Sequence, residues 1–340
     1  MKIGLTYNQR PHGCGPQECG DDAFAEFDSP ETVDILLATL KRLGHDPIAI
    51  GDGIALIDIL RAGVKFDLIF NIAEGKHFQS REAQVPAILE LFEVPYTFGD
   101  PLCTCICLNK WFTKQILLIH GIPTPPSFLA ATGSGIRRDY VLPWEAFVKP
   151  NHEGTSKGID AGAIVFSTTA LRSRVDFVCV KYGQLALIER RIRGSEYTVA
   201  IVNSGDQANV IGSAKISLAT GRDVYGITEK EKCENLVHYQ YETLEKQYLD
   251  MALAAYRATG CRDAGRVDLI IDDNGTANIL EVNPIPGLHP THSDLPIIAA
   301  FAGMSYGELL SVIVSSASKR TTGLTLDSEA HWLISQQLPH

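Results

Sequence analysis

The sequence predicts a chain of several domains that joins an α/β unit to α+β units. Residues 1–105 alternate short apolar segments with helical patterns, which is typical of a parallel sheet covered by helices. Nearer the C-terminus, the turn DDNG separates two strand-like segments, GRVDLIID and ANILEVNP, and this pattern indicates an antiparallel hairpin. The length of 340 residues exceeds what one core usually holds, so several domains are expected.

Four segments follow one another along the chain. Residues 1–105 are the N-terminal α/β domain, with strands at KIGLTY, DPIAIG, FDLIFNI and VPYTFG and a first helix for which Ser29 is the predicted N-cap. Residues 106–187 are a small central α+β unit that includes the helix NKWFTKQILLIHG. Residues 188–320 are a C-terminal unit with a long helix and the hairpin, and residues 321–340 are a tail.

Composition narrows the class of protein. A hydrophobic fraction of 45% with 21% charged residues is that of a globular protein. The formal net charge of -10 provides no basic surface, so neither nucleic acid nor an anionic membrane is expected as a partner. The N-terminus does not resemble a signal peptide, and no apolar run reaches membrane-spanning length, so we expect a cytoplasmic protein.

The cysteines are scattered, without the paired two-residue gaps of zinc ribbons or redox motifs. Cys103, Cys105 and Cys107 form the one cluster in the sequence, and their alternation spreads the thiols around a helix or along one face of a strand. We expect buried or incidental thiols, with a metal or redox role as the alternative. Reduced cysteines agree with a cytosolic location.

The predicted hairpin carries the residues that point most directly to chemistry. Glu281 and Asn283 are two positions apart on one strand, so both side chains leave the same face of the sheet. If Asp268 on the partner strand faces the same way, three oxygen ligands converge, as Mg²⁺ beside a nucleotide triphosphate requires. The alternative is a solvated acidic face, but the apolar neighbours of these residues favour a buried sheet.

Two further segments carry candidate binding residues. FVKPNHEGTSKGI places Lys149 at the end of a strand, followed by a loop in which backbone amides around Gly154 and Ser156 could hold phosphate oxygens. An ordinary surface turn has the same pattern. LIERRIRGSEYTVAIV brackets a linker with Glu189 and Glu196, which suits an adenine edge and a ribose diol. By spacing alone, surface salt bridges with the neighbouring arginines are the favoured explanation of these two glutamates.

An ordered set of segments resembles the D-alanine–D-alanine ligase family of the ATP-grasp superfamily: FNIAEG, REAQVPAILELFEVPYTFGDP, NKWFTKQILLIHGIPTP, FVKP, EGTSKGI, GRVDLI and EVNPIPGL. The resemblance runs from the first strand to about residue 315, and the ordered set is far more specific than any single segment. It implies an ATP-grasp fold of three domains, with a Rossmann-like parallel-sheet N-terminal domain and two antiparallel sheets that clasp ATP. Both substrates would lie under the nucleotide.

The resemblance also implies roles for residues that face the nucleotide. Lys110 and Lys149 resemble the two lysines that touch the ATP phosphates. Glu189, with the adjacent backbone, resembles the adenine clasp, and Glu196 resembles the ribose binder.

The late hairpin matches the catalytic part of the family. Asp268, Glu281 and Asn283 resemble the Mg²⁺ ligands, and Mn²⁺ is a compatible substitute. Arg266 resembles the arginine that stabilises the oxyanion of the tetrahedral intermediate, a task for a preorganised positive charge, and Gly287 would add a backbone amide to the same site.

The cation of the mobile loop over the phosphates is harder to align. Lys230 follows VYGIT where the family's loop places its lysine, and it is preferred over Lys215. An exposed charge in a flexible loop is the alternative.

The substrate pocket departs from the family pattern. The glycine-rich first loop is missing, and Glu26 stands about where the glutamate that holds the ammonium group of the first substrate would be, with Asp28 as the competing choice. Glu74 occupies the position of a histidine. On the acceptor side Ser293 is kept, but Asp294 replaces an aliphatic residue. Asp294 either caps the helix that begins near Pro296 or recognises an acceptor other than D-alanine.

The reaction implied is the ATP-dependent joining of a carboxylate to an amine through an acyl phosphate. The altered pocket favours a dipeptide-forming or related amide ligase over a cell-wall D-alanine–D-alanine ligase. A non-catalytic ATP-binding scaffold is a further alternative, against which the complete hairpin set argues, and a dehydrogenase is excluded because no GxGxxG follows the first strand. We expect ATP and Mg²⁺ as cofactors, amino acids or amines as small-molecule partners, and an arrangement compatible with a homodimer.

Overall fold

The computed structural model describes residues 1–10, 24–218 and 237–321. Within these residues it contains one parallel sheet and two antiparallel sheets. This agrees with the predicted combination of α/β and α+β architecture. No single helix among the described residues is long and apolar enough to cross a membrane, and two bent helix pairs reach that length and composition only together.

The first unit is built on the parallel sheet. Its elements are β1 (Lys2–Tyr7), α1 (Pro30–Arg42), β2 (Asp46–Gly51), α2 (Gly53–Arg61), β3 (Leu68–Ile72) and α3 (Gln84–Leu91). The strand order is β2-β1-β3. The predicted N-cap of α1 is confirmed, because the Ser29 side chain accepts a hydrogen bond from the backbone N–H of Thr32. Strand β3 is buried along its whole length, so the residues that follow it emerge at the carboxyl edge of the sheet.

The predicted strand VPYTFG is wrong. The segment makes only an isolated bridge between Tyr96 and Ile69. Phe98 then adopts a left-handed conformation with a φ of 71°, which turns the chain towards the next helix before a ladder can extend.

The central unit is a pair of helices followed by an antiparallel sheet. Its elements are α4 (Pro101–Leu108), α5 (Lys110–Ile119), β4 (Ser127–Ala130), β5 (Ala146–Pro150), β6 (Ile164–Val165), α6 (Thr168–Tyr182) and β7 (Ala186–Arg190). The strand order is β4-β7-β5-β6. The expected boundary at residue 187 therefore falls inside β7.

The C-terminal unit is a larger antiparallel sheet with three helices. Its elements are β8 (Gly194–Val202), β9 (Asn209–Leu218), β10 (Val237–Tyr241), α7 (Lys246–Ala258), β11 (Ala264–Asp272), β12 (Ala277–Asn283), α8 (Asp294–Phe301) and α9 (Tyr306–Thr321). The strand order is β10-β9-β8-β11-β12, and the predicted hairpin of β11 and β12 is confirmed. Helix α9 packs Leu309 and Leu310 into the same core as Ile3 and Leu5 of β1, so the chain end completes the core of the first unit.

Candidate active site

Two cavities lie side by side in the described part of the molecule. The larger, about 1000 Å³, lies between the first unit and the loop that follows β12. The smaller, about 410 Å³, lies between the two antiparallel sheets and is lined from β5, β7, β8, β11 and β12. Four residues line both cavities, so the two spaces meet at their side chains: Lys110, Glu153, Arg266 and Asp294.

The hairpin brings its predicted ligands together. Asp268 lies directly opposite Glu281 in the ladder, and Arg266 lies directly opposite Asn283. The Asn283 side-chain nitrogen is 3.3 Å from Asp268 Oδ2 and 3.3 Å from Glu281 Oε1. Two carboxylates and an amide are oxygen ligands of the type that Mg²⁺ prefers, so the donor set fits that ion.

Arg266 lies in the middle of this acidic group. Its Nε and Nη2 donate to the two oxygens of Asp268 at 2.9 and 3.0 Å, and its Nη1 pairs with Asp294. Burial would lower the pKa of Arg266, but Asp268 and Asp294 outweigh it and raise the pKa above its ordinary value. Burial raises the pKa of Asp268 to about 6, although Arg266 opposes that rise. The guanidinium therefore stays charged at the junction of the cavities.

Asp294 does not cap a helix near Pro296. Helix α8 begins at Asp294 itself with Ser293 in the N-cap position, so Asp294 lies in the first turn. Its carboxylate turns towards Arg266 and accepts a 2.6 Å hydrogen bond from the hydroxyl of Tyr239. An ion pair with a buried guanidinium outweighs a bond to a helix N–H, which is the physical reason for the different placement.

The loop from Gly287 to Ser293 is closed tightly on itself. Ser293 Oγ accepts a 3.0 Å hydrogen bond from the backbone N–H of His289. A Cβ atom at Gly287 would lie 2.7 Å from Ser293 Oγ, so the loop leaves no room for a side chain there. Both predicted residues line the larger cavity.

The predicted phosphate lysines are buried near the metal-ligand group. Lys110 Nζ donates to the backbone oxygen of Glu153 at 2.7 Å and lies 3.4 Å from Glu281 Oε2. Lys149 Nζ lies 2.7 Å from Glu189 Oε1. Lys114, which sequence reasoning missed, holds the other oxygen of Glu189 at 3.0 Å.

Glu189 and Glu196 line the smaller cavity, where an adenine clasp and a ribose binder were expected. Burial alone would raise the pKa of Glu189, but Lys114 and Lys149 hold it at about 2. The pKa of Glu196 is raised by burial and by the charge of Asp268. Glu189 is therefore an ion-pair centre rather than a surface salt bridge to the neighbouring arginines.

The loop after β5 has a strained backbone. Thr155 and Ser156 have φ values of 48° and 57°, a left-handed conformation that is uncommon outside glycine. Such strain concentrates where a loop holds a ligand. Gly154 lines the larger cavity and Ser156 the smaller one, so this loop crosses between them. Lys230 lies outside the described residues, while Lys215 Nζ lies 5.9 Å from the ring centroid of Tyr197.

The comparisons with known proteins agree with this geometry. The family described as "D-ala D-ala ligase C-terminus" matches residues 135–315. A D-alanine–D-alanine ligase of Alcanivorax borkumensis is 31% identical over 290 residues, which is 84% of this chain and 88% of that protein. The chain belongs to the D-alanine–D-alanine ligase family. An uncharacterised protein of Sinorhizobium fredii is 32% identical over 317 residues, covering 90% of this chain and 86% of that one.

Solved structures show the same fold. The D-alanine–D-alanine ligase of Bacillus anthracis complexed with ATP superposes with a TM-score of 0.74 at 22% identity, over 95% of this chain and 99% of that one. A D-Ala:D-Ser ligase of Enterococcus faecalis superposes with a TM-score of 0.69 at 19% identity, over 93% of this chain and 99% of that one. The protein thus has the ATP-grasp fold and is an ATP-dependent ligase that forms C–N bonds.

The larger cavity of this ligase is bordered by a charge that the sequence pattern did not assign, that of Arg81. Glu26 accepts hydrogen bonds from Arg81 and from the backbone N–H of Gly154, both at 2.6 Å. Burial would raise the pKa of Glu26, but Arg81 and Lys157 lower it. Glu26 therefore joins the first unit to the loop after β5 through its carboxylate. Arg81 belongs to the segment REAQVP, which contributed to the family resemblance. The sequence pattern assigned no site role to its two charged residues.

Asp28, the competing choice, lines the same cavity. Burial raises the pKa of Asp28 to about 7, and Arg10 opposes that rise. Glu74 also lines this cavity, so the structure brings all three predicted pocket carboxylates together.

Three thiols meet behind the larger cavity of the ligase. Cys103, Cys107 and Cys261 are buried and their sulfur atoms lie within 4.8 Å of one another. Cys105, the third member of the predicted cluster, lies apart because the helix places residues four apart, rather than two apart, on one face. The expectation of incidental thiols stays a prediction.

Proposed function

We propose that the enzyme uses MgATP to activate the carboxylate of an amino acid as an acyl phosphate and joins it to an amine, with a substrate pair other than two D-alanines. The observation that supports this most is the position of Arg266 between the two cavities. A nucleotide in the smaller cavity and substrates in the larger one would meet at this guanidinium.

The chain's own residues would divide the work. Lys110 and Lys149 would neutralise phosphate charge, and Asp268, Glu281 and Asn283 would hold a magnesium ion, whose chemistry would be to offset negative charge on the phosphoryl group. Arg266 and Lys110 form ion pairs with the carboxylates of this group.

The reaction balances in two steps. A donor carboxylate oxygen bonds to the γ-phosphorus of ATP while the bond between that phosphorus and the β,γ-bridging oxygen breaks, releasing ADP. The acceptor amine nitrogen then bonds to the carbonyl carbon, the C–O bond to phosphate breaks, and the nitrogen passes a proton to the medium. Phosphoryl transfer of this kind depends mainly on positioning and charge neutralisation. The proposed mechanism therefore needs no nucleophile triad.

Two features support a substrate pair other than two D-alanines. Glu74 places a carboxylate in the donor region, where the resemblance predicts a histidine. Asp294 pairs with Arg266 on the acceptor side, where the resemblance predicts an aliphatic side chain. The 31% identity to a D-alanine–D-alanine ligase favours the rival proposal, a ligase of two D-alanines.

A phosphate-release screen over pairs of D- and L-amino acids with ATP and Mg²⁺ separates the two proposals. We expect release with at least one pair that does not consist of two D-alanines. Release with D-alanine alone would favour the rival, and silence with every pair would favour an ATP-binding scaffold.

Glu281→Gln tests the metal assignment in the same assay. We expect a loss of about 10²-fold or more in turnover, because a preorganised charge contact at a reacting phosphate is worth that much. Glu93→Gln is the control, since this side chain is exposed and lies outside both cavities. Full activity in Glu281→Gln would remove the assignment.

A further inference from the structure

Seven carboxylates line the larger cavity: Glu26, Asp28, Glu31, Glu74, Glu82, Glu153 and Asp294. Their partners place three of them in one group and two in another. Arg81 lies 2.6 Å from Glu26, and Lys157 lies 2.7 Å from Glu153. Asp294 pairs with Arg266. These three carboxylates therefore have a counter-charge from the chain itself.

Glu74 and Glu82 form the other group. Neither receives a hydrogen bond or an ion pair from residues 1–10, 24–218 or 237–321, although Glu82 is only 8% exposed and faces the cavity. The guanidinium of Arg81 acts on both glutamates through its charge, but it directs its nitrogens to Glu26, to Glu153 and to the backbone oxygen of His152. Both glutamates thus line the cavity without a direct contact to a cation of the described residues.

The charges around Glu74 add to this excess. Glu74 faces Glu82, Glu26 and Asp28, and burial together with these neighbours raises its pKa well above the ordinary value. Burial raises the pKa of Glu82 to about 8, and Arg81 opposes that rise only in part.

An unpaired, buried carboxylate is costly unless a partner arrives with the ligand. One amino-acid donor brings one α-ammonium group, which a single carboxylate can hold. Two glutamates without a partner in the described part of the chain, with Asp28 on the same cavity, exceed that requirement. We propose that the donor carries a second cationic group, held between Glu74 and Glu82, and is a diamino carboxylic acid. This inference rests on the proposed ligase function.

Matched substrate pairs test it directly. Ornithine and norvaline have the same carbon chain and differ in the terminal amine, as do lysine and norleucine, and each is used as the D- and the L-form with a set of amine acceptors. We expect kcat/KM for phosphate release to be at least about tenfold higher with the diamino member, as a charge-assisted contact in a partly buried site provides. Equal or higher values with the neutral member would overturn the proposal.

Glu82→Gln provides the second arm. The variant should lose about tenfold or more of the preference for the diamino member, while kcat/KM for the neutral member changes far less. Glu93→Gln is the control for the loss of an exposed carboxylate. An equal loss with both members of a pair would mean that Glu82 has a general structural role, and the subsite would be rejected.

Calorimetric titration with ornithine and norvaline separates this proposal from the ligase function. Ornithine that binds the wild-type protein more tightly than norvaline, and loses that advantage in Glu82→Gln, supports the subsite even if no pair releases phosphate. In that case the ligase proposal fails alone. Phosphate release without any preference for the diamino member keeps the ligase and removes the subsite.

Discussion

Each of the two cavities contains a buried glutamate, and the two glutamates differ in their counter-charge. In the smaller cavity Glu189 is 4% exposed and lies between Lys114 and Lys149, which hold its pKa at about 2. In the larger cavity Glu82 is 8% exposed, but burial outweighs the charges of Arg81 and Lys110 and raises its pKa to about 8. Similar burial thus gives opposite shifts, because the protein supplies a contacting counter-charge to Glu189 and, among the described residues, none to Glu82.

Glu189→Gln should have the largest effect on stability. The substitution leaves two buried lysines without their carboxylate, and breaking a buried pair in this way costs about 3–5 kcal/mol. Urea unfolding at neutral pH measures the change, with Glu93→Gln as the exposed control. A change no larger than that of the control would mean that the lysines have other partners.

The pH dependence sharpens this test. The folded-state pKa of Glu189, about 2, lies below the ordinary 4.5, so the native state binds fewer protons than the unfolded state between these values. The stabilisation from Glu189 is therefore complete above pH 4.5 and is lost as the pH falls towards 2. The difference between the wild-type protein and Glu189→Gln should shrink over that range.

Glu82→Gln should show the reverse slope. The folded-state pKa of about 8 lies above the ordinary 4.5, so the native state binds more protons than the unfolded state between these values and loses stability as the pH rises. The neutral variant avoids that loss. We expect it to match the wild-type protein near pH 4.5 and to exceed its free energy of unfolding by about 2 kcal/mol or more above pH 8. A parallel pH profile for the two proteins would show that Glu82 is paired.

The sequence predicted contacts that follow from local geometry, but not ion pairs between distant segments. The hairpin ligands were found because side chains two apart share a face of a strand, and this local rule puts Glu281 beside Asn283 and opposite Asp268. The ion pairs of Lys114 with Glu189 and of Arg81 with Glu26 join segments far apart in sequence. No local period encodes such pairs, since they depend on how the units pack.

The wrongly predicted strand VPYTFG shows that apolar composition alone does not fix a strand. Its apolar composition is that of a strand, but composition does not contain the left-handed turn at Phe98 that ends the pairing. Asp294 was assigned from its helix-start position, which is correct to within two residues, whereas its partner Arg266 lies 28 positions away. Positions were therefore easier to predict than partners.

Tyr239→Phe should give the smallest of these effects, at the junction of the two cavities. It removes the 2.6 Å hydrogen bond to Asp294 but leaves the pair of Asp294 with Arg266, so we expect a loss of about 1 kcal/mol in the free energy of unfolding. Tyr241→Phe, on the same strand with an exposed ring, is the matched control. If Tyr239→Phe costs as much free energy of unfolding as Glu189→Gln, the placement of Asp294 depends on the Tyr239 hydroxyl as well as on Arg266. A change as small as that of the control would mean that Arg266 alone holds Asp294 in place.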